Sequence, residues 1–343
     1  MAKAKATTRS GMNPTVVFRA PKEAVVEDRP MPVPGAGELL IKTRRSMIST
    51  GTELTIYSGD FPKQSAWSAY GRYPFPAGYS NVGSVVEVGA GVDKSWIGRR
   101  VANFGPHAAF VTIPTKDAFP VPDAVSDDEA SIFTIGIIVM NGVRRSRIEW
   151  GESVAIFGMG LLGQLTARFA AICGARPVIC IDPAQARLDM LPKRATIVPV
   201  NPTGIDLVAR VKELTHGRLA DLLFEVTGAP QVIDGEFDVL RKMGRAVMLS
   251  SPRGPTQFDF HDRCNSPSIT IIGTHVSSHP PEESFDNIWT RARNTELFFD
   301  HIARKELDIG AMISHRAHYK DASKFYQMLL TDRSKAMGVV FEW

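Results

Sequence analysis

The chain has 343 residues, 44% of them apolar, and a formal net charge of +4 at pH 7, so it has the length of two domains and can bury a sizeable core. That charge is too small to argue for nucleic acid or an anionic membrane as partner, and no apolar run approaches the roughly 20 residues of a membrane-spanning helix. Cys173, Cys180 and Cys264 show neither a paired framework nor metal-ligand spacing, which fits a reducing, cytoplasmic compartment.

Residues 1–13 are basic but lack the apolar core of a secretory signal, and read as a disordered leader with folded sequence starting at Pro14. From there to residue 120, TVVFRA, AVVEDRP, ELLIKTRRS, NVGSVVEVG, RRVANF and AAFVTIP are short apolar or alternating runs separated by Pro and Gly. Such spacing predicts a compact, barrel-like β domain over 14–130. Ser126 before a run of acids, with Arg144 and Arg145 closing the apolar stretch that follows, predicts a capped helix or helix pair leading out of it. ESVAIFG, RPVICID, TIVPV, DLLFEV, GRAVMLS and ITIIGTH then alternate with helical stretches, which predicts a doubly wound parallel sheet of about six strands over 131–282. Beyond it EESFDNIWTRARNTELFFDHIARKEL and DASKFYQMLLTD read as long amphipathic helices and MGVVFEW as a last strand. Residues 283–343 are expected to return and complete the first domain, leaving a cleft between the two.

Within the parallel-sheet region, VAIFGMGLLG joins an apolar strand to a helix through Gly158, Gly160 and Gly163, the G-x-G-x-x-G spacing of a dinucleotide-binding turn. The three glycines serve a tight turn, close backbone approach to a pyrophosphate, and helix-to-strand packing. Met159, Leu161 and Leu162 are expected to line the phosphates at the helix start, where free N–H groups and the helix dipole favour negative charge. Asp182 closes the next strand, where an acid is expected on the ribose hydroxyls; a carboxylate there repels a 2′-phosphate, so the cofactor reads as NAD. Arg187 argues the other way, since an arginine beyond this acid can meet a phosphate. Thr227, Ser250, Thr274 and His275 follow later strands and should line the same groove.

This order, a β domain followed by a mid-chain Rossmann domain and a returning C-terminus, resembles the medium-chain dehydrogenase/reductase superfamily of the zinc-type alcohol dehydrogenases. PGAGELLIKTRRSMISTGTELTIYSGDFP, FPAGYSNVGSVVEVGAGV, GRRVANFGPHAAFVTIP and WGESVAIFGMGLLG carry the resemblance, with ISHRAHYKDASKFYQMLLTDRSKAMGVVFEW at the end. It implies a GroES-like catalytic barrel beside an NAD-binding Rossmann domain, and a homodimer or homotetramer. ISTGTE, residues 48–53, looks most like the branch containing the bacteriochlorophyllide a dehydrogenases. Where zinc members place a cysteine and a Gly-His-Glu, this chain has Thr50 before Gly51-Thr52-Glu53, and Gly78-Tyr79-Ser80. The third ligand position, near Ile135 to Ile138, holds only apolar residues and glycine. Hydroxyls and a neutral phenol are not normal zinc ligands, so no metal is expected.

Without a metal, hydrogen-bond donors or a general acid/base must handle the substrate oxygen during hydride transfer. By the resemblance, Thr52 matches the hydroxyl residue that contacts that oxygen, Tyr79 points at the vacated metal position, and Ser49 or Thr50 fills the cysteine position. His107 precedes a segment bordering the substrate cleft in the family and offers an imidazole for proton transfer. The implied function is a zinc-independent oxidoreductase moving a hydride between NAD(H) and a secondary alcohol or ketone, polyhydroxylated or sugar-like substrates included. The alternatives are an NAD(P)H-dependent enone or quinone reductase, redox-neutral elimination or epimerisation with tightly held NAD, and a non-catalytic NAD-binding sensor.

Overall fold

The computed structural model describes residues 9–343, which divide into two units. One takes the chain up to Asp60, Ser68–Thr134 and Thr295–Trp343; the other takes Phe61–Trp67 and Ile135–Asn294. The divisions fall after Thr134 and Asn294 rather than after 130 and 282. The small excursion of 61–67 into the second unit was not foreseen; Trp67 Nε1 there donates to the carbonyl of Pro252 at 3.3 Å.

The first unit is a GroES-like β structure built around the strand Glu38–Met47. That strand pairs antiparallel with Asn81–Val88, with Phe110–Pro114 and with Gly338–Glu342, so three distant segments share one backbone ladder. Arg100–Asn103 and Ala118–Pro120 extend the sheet on one side, and Ile313–His318 adds a parallel strand on the other. Strands Ile313–His318 and Gly338–Glu342 thus belong to the same sheet as Glu38–Met47. Leu39, Ile41, Val85, Val101, Val111 and Ile113 form its core. A second sheet pairs Arg9–Ala20 with Glu23–Met31 and Phe75–Pro76.

Strand structure begins at Arg9, so residues 9–13 belong to a ladder and not to a leader; residues 1–8 lie outside the described ones. Asn13 shows why. Its buried amide donates to the carbonyl of Phe110 at 2.9 Å and accepts from the Phe110 N–H at 2.8 Å, fastening this segment to the barrel. The helix expected from residue 282 starts only at Arg291 and ends at Ala303. Residues 281–288 are exposed, and Ser284 and Asn287 satisfy each other through local side-chain and backbone bonds, a turn that competes with helix. Ser126 caps Asp127–Ala130 with a reciprocal Glu129 bond, ahead of the helix Phe133–Ser146.

The second unit is a six-stranded, wholly parallel sheet in the order Ile197–Val200, Val178–Ile181, Val154–Phe157, Ala220–Glu225, Leu240–Met248, Thr270–Gly273. It is a Rossmann sheet. Every residue of Val154–Phe157 and Val178–Ile181 is buried, as strands covered on both faces require. The strand order reverses beside Val154–Phe157, and such a switch point opens the crevice where nucleotides bind.

Candidate functional site

Gly158 leaves the first Rossmann strand at φ +96°, a left-handed conformation that side chains disfavour. Gly163 excludes a side chain by contact: a Cβ there would lie 1.8 Å from the Gly158 carbonyl oxygen, because the helix Leu161–Ile172 packs directly on the turn. Gly160 caps that helix, and a Cβ on it would meet nothing within 4 Å. The space before the helix start is thus open, and the first-turn N–H groups at Leu161, Leu162 and Gly163 are donors a helix leaves without internal partners. This cradle fits a pyrophosphate.

Asp182, 3% exposed, holds the turn together. Its Oδ2 accepts from the Met159 N–H at 2.7 Å and its Oδ1 from the Ala184 N–H at 2.7 Å, with Arg187 Nη1 3.5 Å from Oδ2. The Met159 N–H therefore serves the carboxylate and not a phosphate. Three of the carboxylate's roughly four acceptor positions are in use, leaving room for a ribose hydroxyl. Thr227 and Ser250 converge on a residue the sequence reading did not single out, the fully buried Glu225. Its Oε1 accepts from Thr227 N, Thr227 Oγ1 and Gly228 N at 2.7, 2.6 and 2.9 Å, and its Oε2 from the Ser250 hydroxyl. One carboxylate so ties together the loops that follow two neighbouring strands. Thr274 Oγ1 is buried without a partner among the described residues, while His275 Nδ1 accepts from Ser277 N and caps a turn.

In the barrel unit, Tyr79, Ser49 and Thr52 come together. The Tyr79 hydroxyl donates to Ser49 Oγ at 2.5 Å and lies 3.4 Å from Thr52 Oγ1. Desolvation pushes this phenol up to about 12, against the opposing pull of the Ser49 and Thr52 hydroxyls. A neutral phenol at pH 7 is a donor. Thr50 takes part through its backbone, its carbonyl accepting from Arg333 Nη1 at 3.2 Å.

His107 lies elsewhere than expected. It is 0% exposed, with Nε2 3.0 Å from Glu53 Oε2 and Nδ1 2.8 Å from Ser46 Oγ. With both ring nitrogens engaged inside the barrel it is a support for Glu53, and the direct proton transfer expected of it is not favoured by its position. Glu53, 1% exposed, reaches the hydroxyl cluster through Oε1, which accepts from the Ser49 N–H at 2.8 Å. Gly78 makes the packing possible: it sits at φ +94°, and a Cβ there would lie 2.6 Å from His107.

Two family models match the chain, "Alcohol dehydrogenase GroES-like domain" over residues 35–123 and "Zinc-binding dehydrogenase" over 162–293. An L-threonine 3-dehydrogenase of Shewanella woodyi is 28% identical over 356 residues, covering 94% of this chain and 97% of that protein. One from Pectobacterium atrosepticum is 26% identical over 94% of this chain and 92% of its own length. Among solved structures, a short chain alcohol dehydrogenase of Escherichia coli, complexed with NADH, superposes with a TM-score of 0.82 at 17% identity, covering 97% of this chain and all of that one. The 2R,3R-butanediol dehydrogenase of Bacillus subtilis gives a TM-score of 0.79 at 18% identity, over 96% of this chain and 99% of the other. The chain belongs to the medium-chain dehydrogenase/reductase superfamily.

This dehydrogenase departs from the zinc-binding pattern of its family name in the donors it presents. Tyr79 is a phenol kept neutral and already donating to Ser49; Ser80 is buried and donates to the carbonyl of Ser131 at 2.6 Å. A cluster of neutral hydroxyls does not fit a zinc ion, which takes thiolate, imidazole or carboxylate. Among the described residues no group of three or more His, Cys, Asp and Glu side chains is placed to hold a metal, and no helix is long and apolar enough to cross a membrane.

Proposed function

We propose that this dehydrogenase transfers a hydride between NAD(H) and a secondary alcohol or its ketone, without a catalytic metal. The observation that carries the reading is the Tyr79–Ser49–Thr52 hydroxyl cluster, in which, by the resemblance, Tyr79 stands where zinc relatives hold a ligand. When bound, the nicotinamide supplies the hydride acceptor or donor. The protein's own residues do the rest. On substrate binding Tyr79 turns its one hydrogen from Ser49 to the substrate oxygen, stabilising the charge that develops there, while the Ser49 hydroxyl donates to the phenol oxygen and Thr52 helps orient the substrate. Burial keeps Tyr79 neutral and so able to donate a hydrogen bond to a ketone oxygen. As the hydride adds to the carbonyl carbon, the phenolic proton passes to that oxygen, a stronger base than the phenolate, and Tyr79 regains a proton from water. The cofactor cradle of Gly158, Gly160 and Gly163 and the Asp182 carboxylate support NAD.

The experiment is a comparison of NADH and NADPH binding, followed by turnover with L-threonine, 2,3-butanediol and a polyol panel. Tyr79→Phe should lower kcat by roughly a hundredfold or more while leaving NADH affinity unchanged. Full turnover in that variant rejects the reading. A second reading draws on Arg187, whose guanidinium lies beside Asp182: a reductase of activated double bonds using NADPH. NADPH bound at least as tightly as NADH by the wild type, with Asp182→Ser making little difference, would favour it.

The parallel sheet ends in the strand Thr270–Gly273, whose Thr270 and Ile271 are exposed. We propose self-association through this edge, as homodimer or homotetramer, to be read by analytical ultracentrifugation. Three free thiols support a reducing, cytoplasmic setting.

A further inference from the structure

We propose that Tyr326, on the C-terminal helix Ala322–Thr331, is a positioning residue: with His107 it clamps the Glu53 carboxylate so that Glu53 holds Ser49, and through it Tyr79, in place. This rests on the hydroxyl-cluster reading above and adds a residue far from it in sequence. A buried carboxylate is costly unless its acceptor positions are filled. Glu53 has three donors: the Ser49 N–H on Oε1, and both the Tyr326 hydroxyl and His107 Nε2 on Oε2. If Nε2 carries the imidazole hydrogen, Nδ1 accepts from the Ser46 hydroxyl, and Ser46 Oγ accepts in turn from Trp343 Nε1 at 2.8 Å. Every group in the chain then has a partner.

The clamp is rigid because both donors are wedged among aromatic rings. Tyr326, 0% exposed, stands edge-on to Phe18 at a centroid distance of 4.8 Å, and His107 stands edge-on to Phe341 at 5.1 Å. Neither ring can turn to follow a displaced carboxylate. The position of Glu53 Oε2 is therefore set by the core, and Oε1 transmits it to the Ser49 backbone. The Ser49 hydroxyl in turn accepts from Tyr79, so a shift of this backbone misaligns the phenol aimed at the substrate.

Tyr326→Phe keeps the ring and removes only the hydroxyl. The first readout needs no substrate: amide hydrogen exchange at Ser49 should accelerate about tenfold or more, while Ile41 in the neighbouring strand keeps its protection. In turnover with the substrates named above, kcat should fall tenfold to about a hundredfold with NADH affinity unchanged. Glu53→Gln, which keeps an acceptor for the Ser49 N–H but no longer suits two donors, should reproduce the kcat loss, and it serves if the Phe variant does not fold. Unchanged exchange at Ser49, or wild-type kcat in both variants while Tyr79→Phe is inactive, overturns the positioning role and leaves the functional reading standing. If Tyr79→Phe itself turns over normally, the functional reading fails and the inference fails with it.

Discussion

The two units aim their chemistry differently. In the Rossmann unit the groups turned toward a ligand are backbone N–H groups, ordered by six consecutive residues from Gly158 to Gly163. In the barrel unit they are side-chain hydroxyls, held by a carboxylate whose donors come from residues 49, 107 and 326. A backbone site depends on what is absent, namely side chains at three glycines. A side-chain site depends on what supports it. The first should therefore be sensitive to added atoms and the second to lost hydrogen bonds.

The largest effect expected from this contrast is at Gly163. A methyl group there meets the Gly158 carbonyl oxygen at 1.8 Å, so helix and turn must separate. Gly163→Ala should destabilise the protein by more than about 3 kcal/mol, visible as a lowered urea midpoint, and abolish NADH binding. A soluble, normally stable Gly163→Ala variant would show that the helix does not rest on the turn.

Smaller, and a test of how the units treat buried acids, is Glu236. Glu53 and Glu225 have donors on both oxygens; Glu236, 2% exposed, has none among the described residues. Desolvation, aided by repulsion from Glu225, raises its carboxyl to about 9. The folded protein then keeps a proton that the unfolded chain releases near the ordinary carboxylate value. Folding stability should fall as pH rises between those two values, by at most about 1.4 kcal/mol per pH unit. In Glu236→Gln that part of the slope disappears, so urea unfolding at pH 5 to 9 should give a flatter curve. Parallel curves for wild type and variant would show that Glu236 ionises normally.

The same contrast explains what could be read from sequence. The glycine turn and Asp182 were legible because their spacing is local and each glycine answers a backbone requirement. Tyr79, Thr52 and Ser49 were legible only through resemblance, since nothing in their spacing brings a residue at 79 against one at 49. The surroundings of His107 are illegible for the same reason: its partners Glu53 and Ser46 lie 54 and 61 residues away in the chain. Tyr326 carried no signal at all, sitting 273 residues from Glu53. Glu225 did leave one, an acid ending the otherwise apolar run LLFE. At residue 282 the apolar periodicity predicts a helix that does not form: Phe285 is fully exposed and Ile288 partly so, and little apolar burial offsets the entropy of ordering one.

The smallest perturbation tests the backbone site most sharply. Gly160 has φ −67° and ψ −173°, which any residue can adopt, and a methyl group there meets no protein atom within 4 Å. Losing glycine's unfolded-state freedom, about 0.4–1 kcal/mol, offsets the roughly 0.7 kcal/mol by which alanine is the poorer helix cap, so thermal stability should be nearly unchanged. NADH affinity should nevertheless fall about tenfold, about 1.4 kcal/mol, because the added methyl group occupies the open space through which a pyrophosphate reaches the helix N–H groups. Stability and binding thus separate at Gly160 and fall together at Gly163. Unaltered NADH affinity in Gly160→Ala would mean that the glycine serves only the turn, and the distinction between a site made by absent side chains and one made by supported side chains would fail at its simplest point.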